Sequence, residues 1–203
     1  MAIEGPYTLR LLGRSRWELT DLRRRLGIVS PDLQVDFSRE MSGLDAVVSG
    51  FFGSVGTWDS HRVSPAQIAK ARRALERVGA AHLGIRLMTA MSSGEARRIL
   101  IARALIHGPD ALLLDEPTTS LDFRAHLEFR STMRRLARGG TAILLVTHML
   151  EDVIPEISRV VLLRRGVIFK DGPAEEVLTS ASLSELFETR VRLEHADGIW
   201  RLR

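Results

Sequence analysis

Three stretches of this chain place apolar residues with the 3.6-residue period of a helix, and two of them open on the same four-residue signal. In the first, Ser64-Pro65-Ala66-Gln67 predicts a start: a serine cap, a proline in the first turn and a glutamine reaching back. Ile68, Ala71, Leu75 and Val78 then fall on one face, and Gly79 stops the helix. In the second, Ser92-Ser93-Gly94-Glu95 carries the same capping logic. Ile99, Leu100, Ala102 and Leu105 follow, and the run is expected to end at Gly108-Pro109. Asp122 caps the third, whose apolar residues include Leu127, Phe129, Met133 and Leu136, with Gly139-Gly140 as its end.

Between and after the helices lie short apolar runs. Residues 111–114, 141–147 and 159–163 read as strands buried on both faces of a parallel sheet. Residues 7–12 and 25–29 suit two more, the latter stopped by Ser30-Pro31. Strands alternating with helices predict a parallel α/β sheet. The tail from Gly172 reads as short helices and a final hairpin turning at Asp197-Gly198.

Composition narrows the setting. A length of 203 residues allows one domain with a real core, and the absence of cysteine excludes disulfides and thiolate metal sites. The apolar runs are too short to span a bilayer and the first ten residues lack a signal-peptide core, so the expected compartment is the cytoplasm. Net charge is +4, and the arginine clusters at 23–25, 72–73, 134–135 and 164–165 are short and interleaved with acids. They read as solvated helix faces and turns, and nucleic acid is not expected as a partner.

The chemistry concentrates at the strand ends. Asp115, Glu116 and His148 each fall just past the C-terminal end of a predicted strand, the edge where parallel sheets bind ligands. An Asp-Glu pair there can hold Mg²⁺ and polarise a water, although Asp-Glu-Pro alone also suits a plain turn. Gly94 in the first turn of a helix costs about 1 kcal/mol relative to alanine, which is understandable if something approaches the backbone closely. The free N–H groups of that helix start are a seat for an anion such as phosphate.

The run MSSGEARRILIARALIHGPDALLLDEPTTSLD, in that order and spacing, resembles the signature motif, Walker B motif and D-loop of an ABC-type ATPase, and His148 in LLVTHMLED resembles the family's switch histidine. The resemblance covers nearly the whole chain. It implies a P-loop NTPase-like α/β fold, with residues 1–31 and 108–203 forming the core and residues 32–107 a helical subdomain carrying the signature. It further implies ATP and Mg²⁺ as ligands. Asp115 would hold Mg²⁺ through water, Glu116 would be the general base and His148 would sense the γ-phosphate. Ser92, Ser93, Gly94 and Glu95 would face ATP held by a second ATPase subunit, and Asp122 would lie at that dimer interface. Membrane-spanning transporter subunits would be the other partners, placing the chain at the inner face of the cell membrane. The stretches around residues 47–58 and 172–187 resemble importer-type members, including the molybdate and photorepair-associated group.

The chain also departs from the family. The pattern G-x-x-x-x-G-K-[ST] does not occur, and the two lysines, Lys70 and Lys170, follow no glycine. Residues 50–57 imitate it without lysine and with wrong spacing. At the Q-loop, proline stands where glutamine is usual, and Gln34 is the candidate substitute. In the family the P-loop strand lies between the strand ending at His148 and residues 159–163, so its absence is expected to leave edges bare. The expectation is an ATPase subunit incomplete at its N-terminus. The alternatives are a regulatory half-site partner of an intact subunit, or a soluble family member acting on nucleic acid.

Overall fold

The computed structural model describes residues 10–30, 40–54 and 62–203. The expected strand at 7–12 and the candidate Gln34 lie wholly or largely outside these residues. What is described of the former is a tight turn, with Leu11 and Arg14 bridged across Leu12-Gly13, rather than a strand.

A short helix α1 (Leu19–Arg25) runs directly into β1 (Leu26–Val29). Three helices follow: α2 (Gly43–Val48), α3 (Pro65–Arg77) and α4 (Ser93–Ala104). Helix α4 stops four residues before Gly108, so its run is shorter than the sequence predicts. The chain then builds β2 (Ala111–Asp115), α5 (Phe123–Arg138) and β3 (Ala142–Val146). Strands β1, β2 and β3 form one parallel sheet in that order, with Val29 opposite Leu114 and Asp115 opposite Val146. Leu112 and Leu114 are fully buried and share one core with Val47, Leu75, Ile99, Ile101, Phe129 and Met133. Of the apolar residues of α5, Phe129, Met133 and Leu136 are buried and Leu127 stands 45% exposed.

Two sequence expectations fail here. Strand β3 is not buried on both faces, because Leu144 is 58% and Val146 47% exposed while Ile143 and Leu145 pack on the core. Among the described residues β3 pairs only with β2, so one edge and one face stay bare. The run at 159–163 does not join the parallel sheet either. It is β4 (Arg159–Arg164), paired antiparallel with β5 (Val167–Pro173) in a separate sheet. Arg165 (φ 51°) and Gly166 (φ 81°) are both left-handed, giving a two-residue turn whose twist suits a hairpin.

Two short helices, α6 (Ala174–Val177) and α7 (Ser180–Leu186), and a hairpin of β6 (Leu193–Ala196) and β7 (Ile199–Leu202) complete the chain. The predicted turn at Asp197-Gly198 is present. This second cluster packs around Leu162, Val177, Leu183 and Trp200, and Arg130 of α5 donates to the Gly198 carbonyl at 3.0 Å. No helix among the described residues is long and apolar enough to cross a membrane.

Candidate functional site

The parallel sheet brings the C-terminal ends of β2 and β3 side by side. Asp115 is the last residue of β2, and the Glu116 N–H donates to the Val146 carbonyl at 2.8 Å. Glu116 adopts φ 44° and Ser120 φ 68°, left-handed conformations that cost free energy for residues with a side chain and that cluster at functional sites. This geometry turns the Glu116 carboxylate toward the loop after β3. There His148 Nδ1 donates to Glu116 Oε1 at 2.8 Å, joining residues 32 apart in sequence. Oε2 of Glu116 is buried and lies 2.8 Å from the same His148 nitrogen, with no other partner. The imidazole of His148 is 70% exposed.

The hydrogen bond His148 donates to Glu116, reinforced by the carboxylate's charge, raises the His148 pKa above its ordinary 6.5. A raised histidine pKa adds stability that is fully present below the ordinary value and is lost as pH rises through the folded value. With Nδ1–H committed to Glu116, protonated His148 keeps Nε2–H for an external acceptor.

The second part of the site is the start of α4. Ser92 Oγ accepts from the Glu95 N–H at 3.3 Å and a Glu95 oxygen accepts from the Ser92 N–H at 2.8 Å, completing the predicted capping box. Glu95 also meets Arg86 at 2.9 Å, and its pKa is lowered, first by the Ser92 backbone hydrogen bond. The start of α4 is tied to the loop after β2. Ser93 Oγ donates to the Ser120 carbonyl at 3.1 Å, and a Cβ on Gly94 would lie 2.6 Å from the Ala125 Cβ. The close approach that Gly94 was expected to permit is therefore made by this chain's own α5. Asp122 fixes the start of α5 by accepting from the Ala125 N–H at 2.8 Å.

The donor set suits a hydrated Mg²⁺. The Asp115 carboxylate makes no hydrogen bond or ion pair among the described residues, and Mg²⁺ typically takes only one or two carboxylates with waters and phosphates. Among the described residues no three metal-ligating side chains cluster into an all-protein cage. The P-loop imitation offers no phosphate cradle in its described part. Ser49–Phe51 is a single 3₁₀ turn, and a Cβ on Gly50 would press on the Arg103 carbonyl at 3.0 Å.

Sequence reasoning missed one group. Asp152 is fully buried beneath the site and bonds to Thr118, Thr147 and His126. Only an acid four residues after the histidine hinted at it.

Comparison with known proteins gives a consistent picture. Residues 7–119 match the family described as ABC transporter. The ABC transporter ATP-binding protein YlmA of Bacillus subtilis, itself uncharacterized, is 36% identical over 174 residues, covering 85% of this chain and 65% of that protein. The molybdenum import ATP-binding protein ModC of Mycobacterium tuberculosis is 45% identical over 113 residues, covering 55% of this chain and 31% of that protein. The chain thus spans less than two thirds of either relative. Among solved structures, cbiO1 of Clostridium perfringens, part of the ABC transporter complex cbiONQ, superposes with a TM-score of 0.65 at 27% identity, covering 81% of this chain and 63% of that one. The match over more than half the chain, on an α/β fold with a parallel sheet, leads to one statement of kinship: the chain belongs to the ABC transporter family of ATP-binding proteins.

Proposed function

We propose that these residues form the hydrolytic and partner-facing parts of an ATP-hydrolysing subunit that drives solute transport of the importing class. The observation that carries the reading is the Glu116–His148 contact at the C-terminal edge of the sheet, beside an uncommitted Asp115. The Glu116 carboxylate accepts a hydrogen bond from a water and takes its proton as that water attacks the γ-phosphate. His148, held through Nδ1, directs Nε2–H at the γ-phosphate and responds to its presence. Mg²⁺, held through water by Asp115, would neutralise phosphate charge. Ser92, Ser93, Gly94 and Glu95 at the start of α4 face ATP on a second subunit. The Ser92 hydroxyl accepts internally and keeps its own proton for that phosphate. Asp122 and the loop before it relay between the two sites, and Gln34 is the candidate Q-loop contact.

Any glycine-lysine phosphate loop facing this site lies outside these 203 residues, which contain none. The bare edge of β3 and its exposed Leu144 and Val146 support a further strand packing there. The partners are a second ATPase subunit and membrane-spanning transporter subunits, with the chain at the cytoplasmic face. The importing class rests on the likeness to ModC. A second reading, a half-site partner that lends its α4 face to an intact subunit, is favoured by a complete signature helix in a chain with no Gly-Lys pair.

Turnover in an assembly containing these residues tests the proposal. Glu116→Gln is expected to lower it by roughly 10²-fold or more with ATP binding kept, since the amide preserves size and loses the proton-accepting charge. An unchanged rate would remove Glu116 from the mechanism.

A further inference from the structure

Below the Glu116–His148 pair sits a carboxylate that the proposed chemistry does not use. Asp152 lies at the end of a 3₁₀ turn (Leu150–Asp152) and is 0% exposed. Its Oδ2 accepts two hydroxyls, from Thr118 Oγ1 at 2.7 Å and Thr147 Oγ1 at 2.6 Å. Its Oδ1 meets His126 Nε2 at 2.8 Å. These partners come from three different segments. Thr118 is two residues after Glu116, Thr147 immediately precedes His148, and His126 is on the first turn of α5. Burying a carboxylate is costly unless its oxygens are satisfied, and here both are. Arg130, buried one turn beyond His126, adds a nearby positive charge.

The contacts converge on the backbone around His148. Thr147 Oγ1, besides donating to Asp152, accepts from the Met149 N–H at 3.0 Å. The Asp152 N–H donates to the Met149 carbonyl at 3.1 Å, and the Val146 carbonyl accepts from the Glu116 N–H. Residues 146, 147 and 149 are thus each held, while the His148 ring stands exposed and is fixed only through Glu116.

We propose that Asp152 is a positioning residue: by taking the hydroxyls of Thr118 and Thr147 on one oxygen, it clamps the loop bearing Glu116 to the loop bearing His148 and sets the distance between those two side chains. The inference rests on the reading of Glu116 and His148 as the reacting pair, but its geometry does not depend on nucleotide. Beyond the backbone bond from the Glu116 N–H to the Val146 carbonyl, Asp152 Oδ2 is the side-chain atom that ties the two loops, so a change on one is transmitted to the other. His126 on Oδ1 extends the clamp to α5, whose start packs against Gly94.

The test compares Asp152→Ala, Asp152→Asn, Thr118→Val and Thr147→Val in the chain as it stands, by the ¹⁵N shift of His148 Nδ1 and by the melting temperature. Glu116→Ala provides the reference shift for an uncoupled His148. Asp152→Ala is expected to move the wild-type shift to that reference. Thr118→Val and Thr147→Val, nearly isosteric and losing one hydroxyl each, are expected to move it part of the way with a modest loss in melting temperature, and they decide the matter if Asp152→Ala does not fold. Asp152→Asn is expected to keep the wild-type shift, because its amide oxygen can still accept both hydroxyls while its NH₂ faces the other tautomer of His126. Variants that melt earlier yet leave the His148 shift at its wild-type value would overturn the clamp and make Asp152 a purely structural residue. Hydrolysis that survives Glu116→Gln, with the shift still moving as described, would instead overturn the catalytic reading and leave the clamp supported.

Discussion

Helices α3 and α4 start on the same local chemistry and differ in everything around it. Each has a serine cap whose hydroxyl accepts from the backbone three residues on, and a Gln or Glu at that third position reaching back to the serine N–H. In α3 the first and second residues are Pro65 and Ala66, ideal for a helix start and exposed to solvent. In α4 they are Ser93 and Gly94, poorer helix formers that lock onto Ser120 and Ala125. The first start is optimised for the helix. The second gives up helix propensity and instead ties the start of α4 to the loop after β2 and to α5. A capping motif therefore identifies a helix start, and the residues inside it tell whether that start serves more than the helix.

The comparison can be broken at its central residues. Gly94→Val should destabilise the chain by about 1–3 kcal/mol, the usual cost of overpacking, because its Cβ would overlap Ala125. The equivalent Ala66→Val on exposed α3 should cost at most about 0.7 kcal/mol, a propensity difference alone. Denaturant midpoints read both, and similar values would show that α4 has room the geometry denies it. A smaller and deliberately equal effect is expected at the caps. Ser64→Ala and Ser92→Ala should each cost about 1 kcal/mol, read locally by faster exchange of the Gln67 and Glu95 amides. Unequal losses would mean that tertiary partners, and not the capping box, hold one of the two serines.

The smallest effect is in pH. Glu95 has a lowered pKa, so its contribution is present above the ordinary value of 4.5 and is lost as pH falls through the folded value below it. Gln67 at the matching position of α3 does not titrate. Acid should therefore loosen amide protection at the start of α4 before that of α3. Simultaneous loosening would assign the acid response to some other group.

Much of this was legible in the chain. Both capping boxes, the cap at Asp122, the strands ending at Asp115 and before His148, and the turn at Asp197-Gly198 depend on neighbours in sequence, and local physics sufficed. The failures are partly local turns without the usual signal and partly non-local. The run Val160 to Leu163 is apolar enough for a buried parallel strand, and only the left-handed Arg165-Gly166 turn, without the usual Asn-Gly or Asp-Gly signal, sends it into a hairpin. Strand β3 reads as doubly buried because all its residues are apolar, whereas its exposure depends on which elements pack on each face, and Leu144 and Val146 face none among the described residues. Gly94 was legible as a site of close approach, but its partner Ala125 lies 31 residues away. Asp152 was illegible because an acid in a loop carries no sign that it will be buried under two threonines and a histidine.

In the proposed function the start of α4, with Ser92 exposed at its cap, closes over a phosphate held by another subunit. An Asp caps a helix about as well as Ser, so Ser92→Asp keeps α4 while placing a negative charge against that phosphate, and Ser92→Asn keeps the cap without the charge. The direct measurement is light scattering of this chain mixed with an intact ABC ATP-binding subunit, with and without ATP and Mg²⁺. Nucleotide-dependent pairing is predicted for the wild type, for Ser92→Asn and for the distant control Ser64→Asp, and its loss for Ser92→Asp alone. No pairing with nucleotide, or equal pairing by Ser92→Asp, would contradict the claim.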